Sequence, residues 1–125
     1  MDEKKQNKVD LRIRTKNFAL QIIKLYSSLP KSVESQVIGK QLLRSGTSVG
    51  ANFREAYRAR SEPEFVSILG ICLKELEETT YWLELLLESQ IVPATALSTL
   101  VDETDQLIAI LTSIVKSKKK NIHHS

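Results

Sequence analysis

The chain has 125 residues, 42% of them hydrophobic, with only four glycines and three prolines, a composition that favours long regular elements in one domain. The single cysteine, Cys72, excludes a disulfide framework, and no stretch is long and apolar enough to span a bilayer. The charged opening, Met1 to Leu11, has no apolar segment of a secretory signal, so a reducing, bacterial-type cytoplasm is the expected setting.

The formal net charge of +3 conceals a strong segregation along the chain. Residues 12–60 hold ten Lys and Arg against two Glu, residues 61–115 hold one Lys against ten acids, and residues 116–125 add four Lys.

Phe18, Ile22, Leu25, Tyr26 and Leu29 recur at helical spacing and predict a first helix from about Ile13 to Ser28. Leu29-Pro30 ends it, because a residue before proline is pushed out of the α region. Ser32 is a fitting N-cap for a second helix, from about Val33 to Ala59. Its core stripe is Ile38, Leu42, Ser45, Val49, Phe53 and Ala56. Residues 45–52, SGTSVGAN, have poor helix propensity, so a loop competes there; the apolar period running through in phase favours the helix.

Ser61-Glu62-Pro63-Glu64 reads as the start of a third helix, which runs to about Ser89. Its core stripe is Phe65, Ile68, Leu69, Cys72, Leu76, Thr79, Leu83 and Leu86. Pro93 marks the start of a fourth, with Leu97, Leu100, Val101, Thr104, Leu107, Ile108, Leu111, Ile114 and Val115 repeating every three or four residues. Short connections make sequential helices antiparallel neighbours. The expected fold is all-α, an antiparallel up-down-up-down four-helix bundle over residues 12–115, between a flexible N-terminal segment (1–11) and a Lys-rich flexible tail (116–125).

On the second helix Lys40, Arg44, Arg54 and Arg58 fall near one line opposite the core stripe. Four cations without interleaved acids suit a phosphate-binding track, which Lys16, Lys24, Lys116, Lys118, Lys119 and Lys120 extend; the competing reading is an ordinary solvated face. On the third helix Trp82 and Ile71 lie well off the core stripe, on a side shared with Glu75 and Glu78. That pattern fits either an oligomer interface anchored by Trp82 or a Trp82 wedged at the edge of one core. Gly39, Gly46 and Gly50 share one side of the second helix with Tyr57 and fit close helix packing; they lack the Lys-Ser or Lys-Thr of a phosphate-binding loop.

Catalysis finds little support. The only histidines, His123 and His124, sit at the extreme C-terminus, and Cys72 sits on a core stripe. Glu55, Glu75 and Glu78 fit a structural polar cluster with Asn52 rather than a metal site. No enzyme activity, metal or cofactor is expected. A basic half and an acidic half suit head-to-tail contacts between subunits.

The run from Arg44 through Ser45-Gly46-Thr47-Ser48-Val49-Gly50-Ala51-Asn52-Phe53-Arg54-Glu55 to Ala56, then Ser61, Phe65, Lys74-Glu75 and Trp82-Leu83-Glu84-Leu85-Leu86, resembles a known pattern. It is similar to the bacterial four-helix bundle family that includes proteins encoded in intervening sequences of 23S ribosomal RNA genes. The accessory variability protein of diversity-generating retroelements looks like a relative. The resemblance covers about residues 12–115. It implies a homo-oligomer, a pentameric ring of bundles, and a role in binding RNA or DNA; in the retroelement relatives a basic surface engages nucleic acid and a reverse transcriptase. Those relatives are basic overall, and the acidic third and fourth helices depart from that. A scaffold that docks a protein encoded nearby is the second expectation.

Overall fold

The computed structural model describes residues 10–124. Four helices follow in order: α1 (Leu11–Ser28), α2 (Val33–Tyr57), α3 (Glu62–Glu88) and α4 (Ala94–His124). No strand occurs among the described residues, and none of the helices is long and apolar enough to cross a membrane.

Side-chain caps set the helix starts. The Asp10 carboxylate accepts from Arg12 N at 2.9 Å, Ser32 Oγ from Ser35 N at 3.3 Å, and Ser61 Oγ from Glu64 N at 3.2 Å, each satisfying an otherwise orphaned donor. Pro63 occupies the first turn of α3, with Glu62 and Glu64 at the positive end of its dipole. α1 stops where Leu29 turns extended (φ −70°, ψ 149°) ahead of Pro30.

Residues 45–52 stay helical within α2 despite their propensity. Packing against α1 explains it. Gly39 lies against Tyr26 and Leu29, Gly46 against Ile22, and Gly50 against Thr15. A Cβ at Gly46 would sit 2.8 Å from Ile22 Cγ1, so the bare backbone is what lets the two helices meet. Thr47 and Ser48 return their hydroxyls to the carbonyls of Leu43 and Arg44, leaving no polar group in competition with the helix ladder.

Interhelical contacts pair rising numbers on one helix with falling numbers on the next. Besides the glycine contacts, Ser45 meets Thr79 at 2.9 Å, Cys72 meets the Val49 carbonyl at 3.7 Å, and Lys118 meets Glu62 at 3.2 Å. The start of α1, the end of α2, the start of α3 and the last turns of α4 are thereby brought together. The core between them holds Phe18, Ile22, Leu42, Val49, Leu69, Leu76, Leu83, Leu86, Leu97, Leu107 and Leu111, all buried. The buried hydroxyls of Thr15, Ser45, Thr79 and Thr104 each reach a partner.

Two expectations change. Val101, placed in the core repeat of the last helix, is exposed. The tail expected to fray from Lys116 instead continues α4 through His124. Lys118 bonds Glu62 at the start of α3 and lies 5.8 Å from the Phe65 ring, so the tail's first turn has a helix to rest on. The flexible segment expected over residues 1–11 falls mostly on residues 1–9, outside the described residues; Leu11 is already helical.

Candidate nucleic-acid interface

Lys40, Arg44 and Arg54 on α2 and Arg58, its C-cap, are all exposed, as a stripe opposite the core requires. They do not form one free cationic line. α3 crosses beside the middle of α2, and there Arg44 Nη1 lies 3.4 Å from Glu75 while Nη2 donates to Glu78. Trp82 Nε1 donates to the same Glu78 carboxylate at 3.1 Å. The Glu78 carboxylate hydrogen bond holds the Arg44 guanidinium above its ordinary value. Burial pushes the Glu78 carboxyl up, but the hydrogen bonds from Trp82 and Arg44 outweigh it, and the net direction is down. Arg44 is thus paired with two carboxylates of α3, and Lys74 adds a second positive charge beside Glu78.

Three of the four residues expected at an oligomer interface take part in this cluster. Glu75 and Glu78 turn inward to Arg44, and Trp82 is half-buried at the core margin with Tyr81 packed edge-on at 5.0 Å. Ile71 alone among the four stays exposed. The Asn52 amide donates to the Ser48 carbonyl of its own helix, and Glu55 is exposed.

Free cations collect where the four helix ends converge. A concavity of about 410 Å³ is lined by Asp10, Arg12, Ile13, Arg54, Tyr57 and Arg58. A second, of about 370 Å³, adjoins it across Tyr57 and includes Arg60, Phe65 and Lys118. Arg54, Arg58 and Arg60 have no side-chain ion pair among the described residues, while Arg12 is held by Asp10 at 2.8 Å and Lys118 by Glu62. The Arg12 guanidinium stacks over the Tyr57 ring, 3.9 Å from its centroid. Lys16, Lys116, Lys119 and Lys120 are exposed on the neighbouring stretches of α1 and α4.

Lys40 stands in the other half of α2, about 27 Å along the axis from Arg58 at roughly 1.5 Å per residue. Lys24 borders a different groove, between α1 and α4, with Ala96, Thr99 and Leu100. Tertiary structure therefore divides the proposed track and adds Arg12, Arg60 and Tyr57 to its Arg54–Arg58 half. Arg12 and Arg60 contributed only to a regional charge count in the sequence. Their place became legible once the first residues of α1 met the last of α2.

Beside this cationic end runs an apolar groove of about 720 Å³ whose lining includes Leu11, Phe53, Tyr57, Ala109, Ile110 and Ile114. Cys72 is buried, and burial pushes its thiol up to about 12, so it stays protonated and unreactive at neutral pH. No group of three or more His, Cys, Asp and Glu is placed to hold a metal ion among the described residues.

Residues 7–113 match the family described as 23S rRNA-intervening sequence protein. A crystal structure of a protein with unknown function from the S23 ribosomal protein family of Bacteroides thetaiotaomicron is similar, with 38% sequence identity and a TM-score of 0.80, covering 86% of this chain and 99% of that one. Among curated proteins none matches the chain.

Proposed function

Because the chain belongs to the 23S rRNA-intervening sequence protein family, we propose that it is a non-enzymatic, cytoplasmic nucleic-acid-binding protein that holds RNA or DNA by its phosphates. The observation that supports this reading is the convergence of Arg54, Arg58 and Arg60, unpaired by acids among the described residues, with exposed Lys16, Lys119 and Lys120 at one end of the bundle. Cations gathered around a concavity raise the local anion concentration and give sequence-independent affinity. A homo-oligomer, of five subunits by resemblance to the family's relatives, would repeat a weak site and multiply its avidity without new contacts.

With about four phosphates neutralised, affinity for a single strand falls roughly 50-fold between about 50 and 200 mM salt. The double variant Arg54→Glu/Arg58→Glu should weaken RNA binding by at least about tenfold at low salt while leaving the sedimentation profile unchanged. Binding equal to the parent's would discard the cationic end as the site.

A second reading is a scaffold that docks another protein, favoured by the apolar groove between Leu11, Phe53 and Ile114. RNA left unbound at high micromolar protein, beside a stable oligomer, would select it.

A further inference from the structure

The exposed aromatics differ sharply in their surroundings. Tyr81 is 52% exposed on acidic α3, against Trp82 and near Glu77 and Glu78. Tyr57 is 57% exposed at the last residue of α2, between Arg54 and Arg58, with Arg12 over one face of its ring. It also forms the ridge shared by both cationic concavities.

Tyr57 is outside the buried core, and its hydroxyl makes no hydrogen bond among the described residues. With Arg12 on one face, its remaining exposure leaves ring surface open inside a ring of positive charge. Residues three apart on a helix stand about 5–6 Å from one another, which brings Arg54 to the ring, and Arg58, the C-cap that follows Tyr57, lines the same concavity. An exposed aromatic beside phosphate-binding cations is the chemistry that takes an unpaired base with its backbone. A duplex offers no such base, because its bases are already stacked and paired.

Building on the nucleic-acid reading above, we propose that the ligand of this end is single-stranded, with one unpaired base stacked on Tyr57 while Arg54, Arg58 and Arg60 hold the adjoining phosphates. The Arg12 guanidinium, anchored by Asp10 at 2.8 Å, backs the ring from behind and fixes its orientation. Recognition is by stacking, which every base can provide, so discrimination is between single and double strand rather than between sequences.

Fluorescence anisotropy with one labelled 12-residue RNA, single-stranded and as a duplex with its complement, tests this on the full chain. The parent should bind the single strand more tightly. Tyr57→Leu should raise the single-strand Kd by about 5- to 150-fold, the range expected for losing one stacked base, and leave the duplex Kd unchanged. Tyr57→Phe should keep the parent's affinity. Independently of any variant, RNA carrying a 2-aminopurine should lose fluorescence on binding the parent, as a base does when it stacks. If the parent binds RNA but Tyr57→Leu binds the single strand as well and the 2-aminopurine stays bright, stacking is refuted and the cationic end survives. If the parent binds neither form at low salt, both readings fall.

Discussion

At the scale of single residues, Arg44 carries the main lesson. A helical wheel gives its direction along α2 but not its partner, and α3 supplies two, Glu75 and Glu78. Glu78 is held below its ordinary value of 4.5, so its contribution to stability is present above about pH 4.5 and is lost as pH falls through the lower folded value. Urea denaturation followed between about pH 6 and pH 3 should therefore show a shallower acid-side loss for Glu78→Gln than for the parent. Arg44 is half-exposed, which keeps the difference below about 1 kcal/mol. Equal slopes for the two proteins would mean that the ion pair carries no stability.

At the scale of elements, α2 sets a weak intrinsic helix against strong packing. Its three glycines lower propensity by about 1 kcal/mol each, yet they are the surface on which α1 rests. Gly46→Ala pushes a methyl into fully buried, β-branched Ile22, so the overpacking cost of about 1–3 kcal/mol should exceed the propensity gain and lower the urea midpoint. Gly70 faces open space on α3, and Gly70→Ala should raise stability by about 0.5–1 kcal/mol. Opposite signs from one chemical change separate packing from propensity; two stabilising substitutions would show that α1 and α2 can separate at no cost. The phase of the apolar stripe through residues 45–52 was enough to read this helix from sequence. The close approach that makes it stable required knowing which helix lay across from it.

For the whole molecule, the seam between α1 and α4 is the thinnest part of the bundle. Arg14 spans it, with Nε 2.7 Å and Nη2 2.8 Å from the Glu103 carboxylate and a further bond of 2.9 Å to Gln106. Bidentate geometry and partial burial make this pair stronger than a surface salt bridge. Glu103→Ala should destabilise the fold by about 1.5–3 kcal/mol in urea denaturation, with the loss shared by Arg14→Ala and not doubled when the two are combined. Fully additive losses would mean that the two side chains stabilise the bundle independently. The same closure creates the cationic end: the short loop from Tyr57 to Glu62 meets residues near 12 and 118, remote from it in the chain, only when the four helices come together.

Periodicity, proline and capping residues determined the four helices and nearly all of the core, because those signals act over one or two turns. They also placed Lys40, Arg44, Arg54 and Arg58 on the water-facing side of α2, since that follows from the helical repeat alone. Which of these cations remained free was decided by tertiary structure, because charge pairing depends on the helix alongside. The companionship of Tyr57 with Arg12, and the continuation of α4 past Lys116, were decided in the same way: each rests on a contact between segments whose separation in sequence carries no local signal.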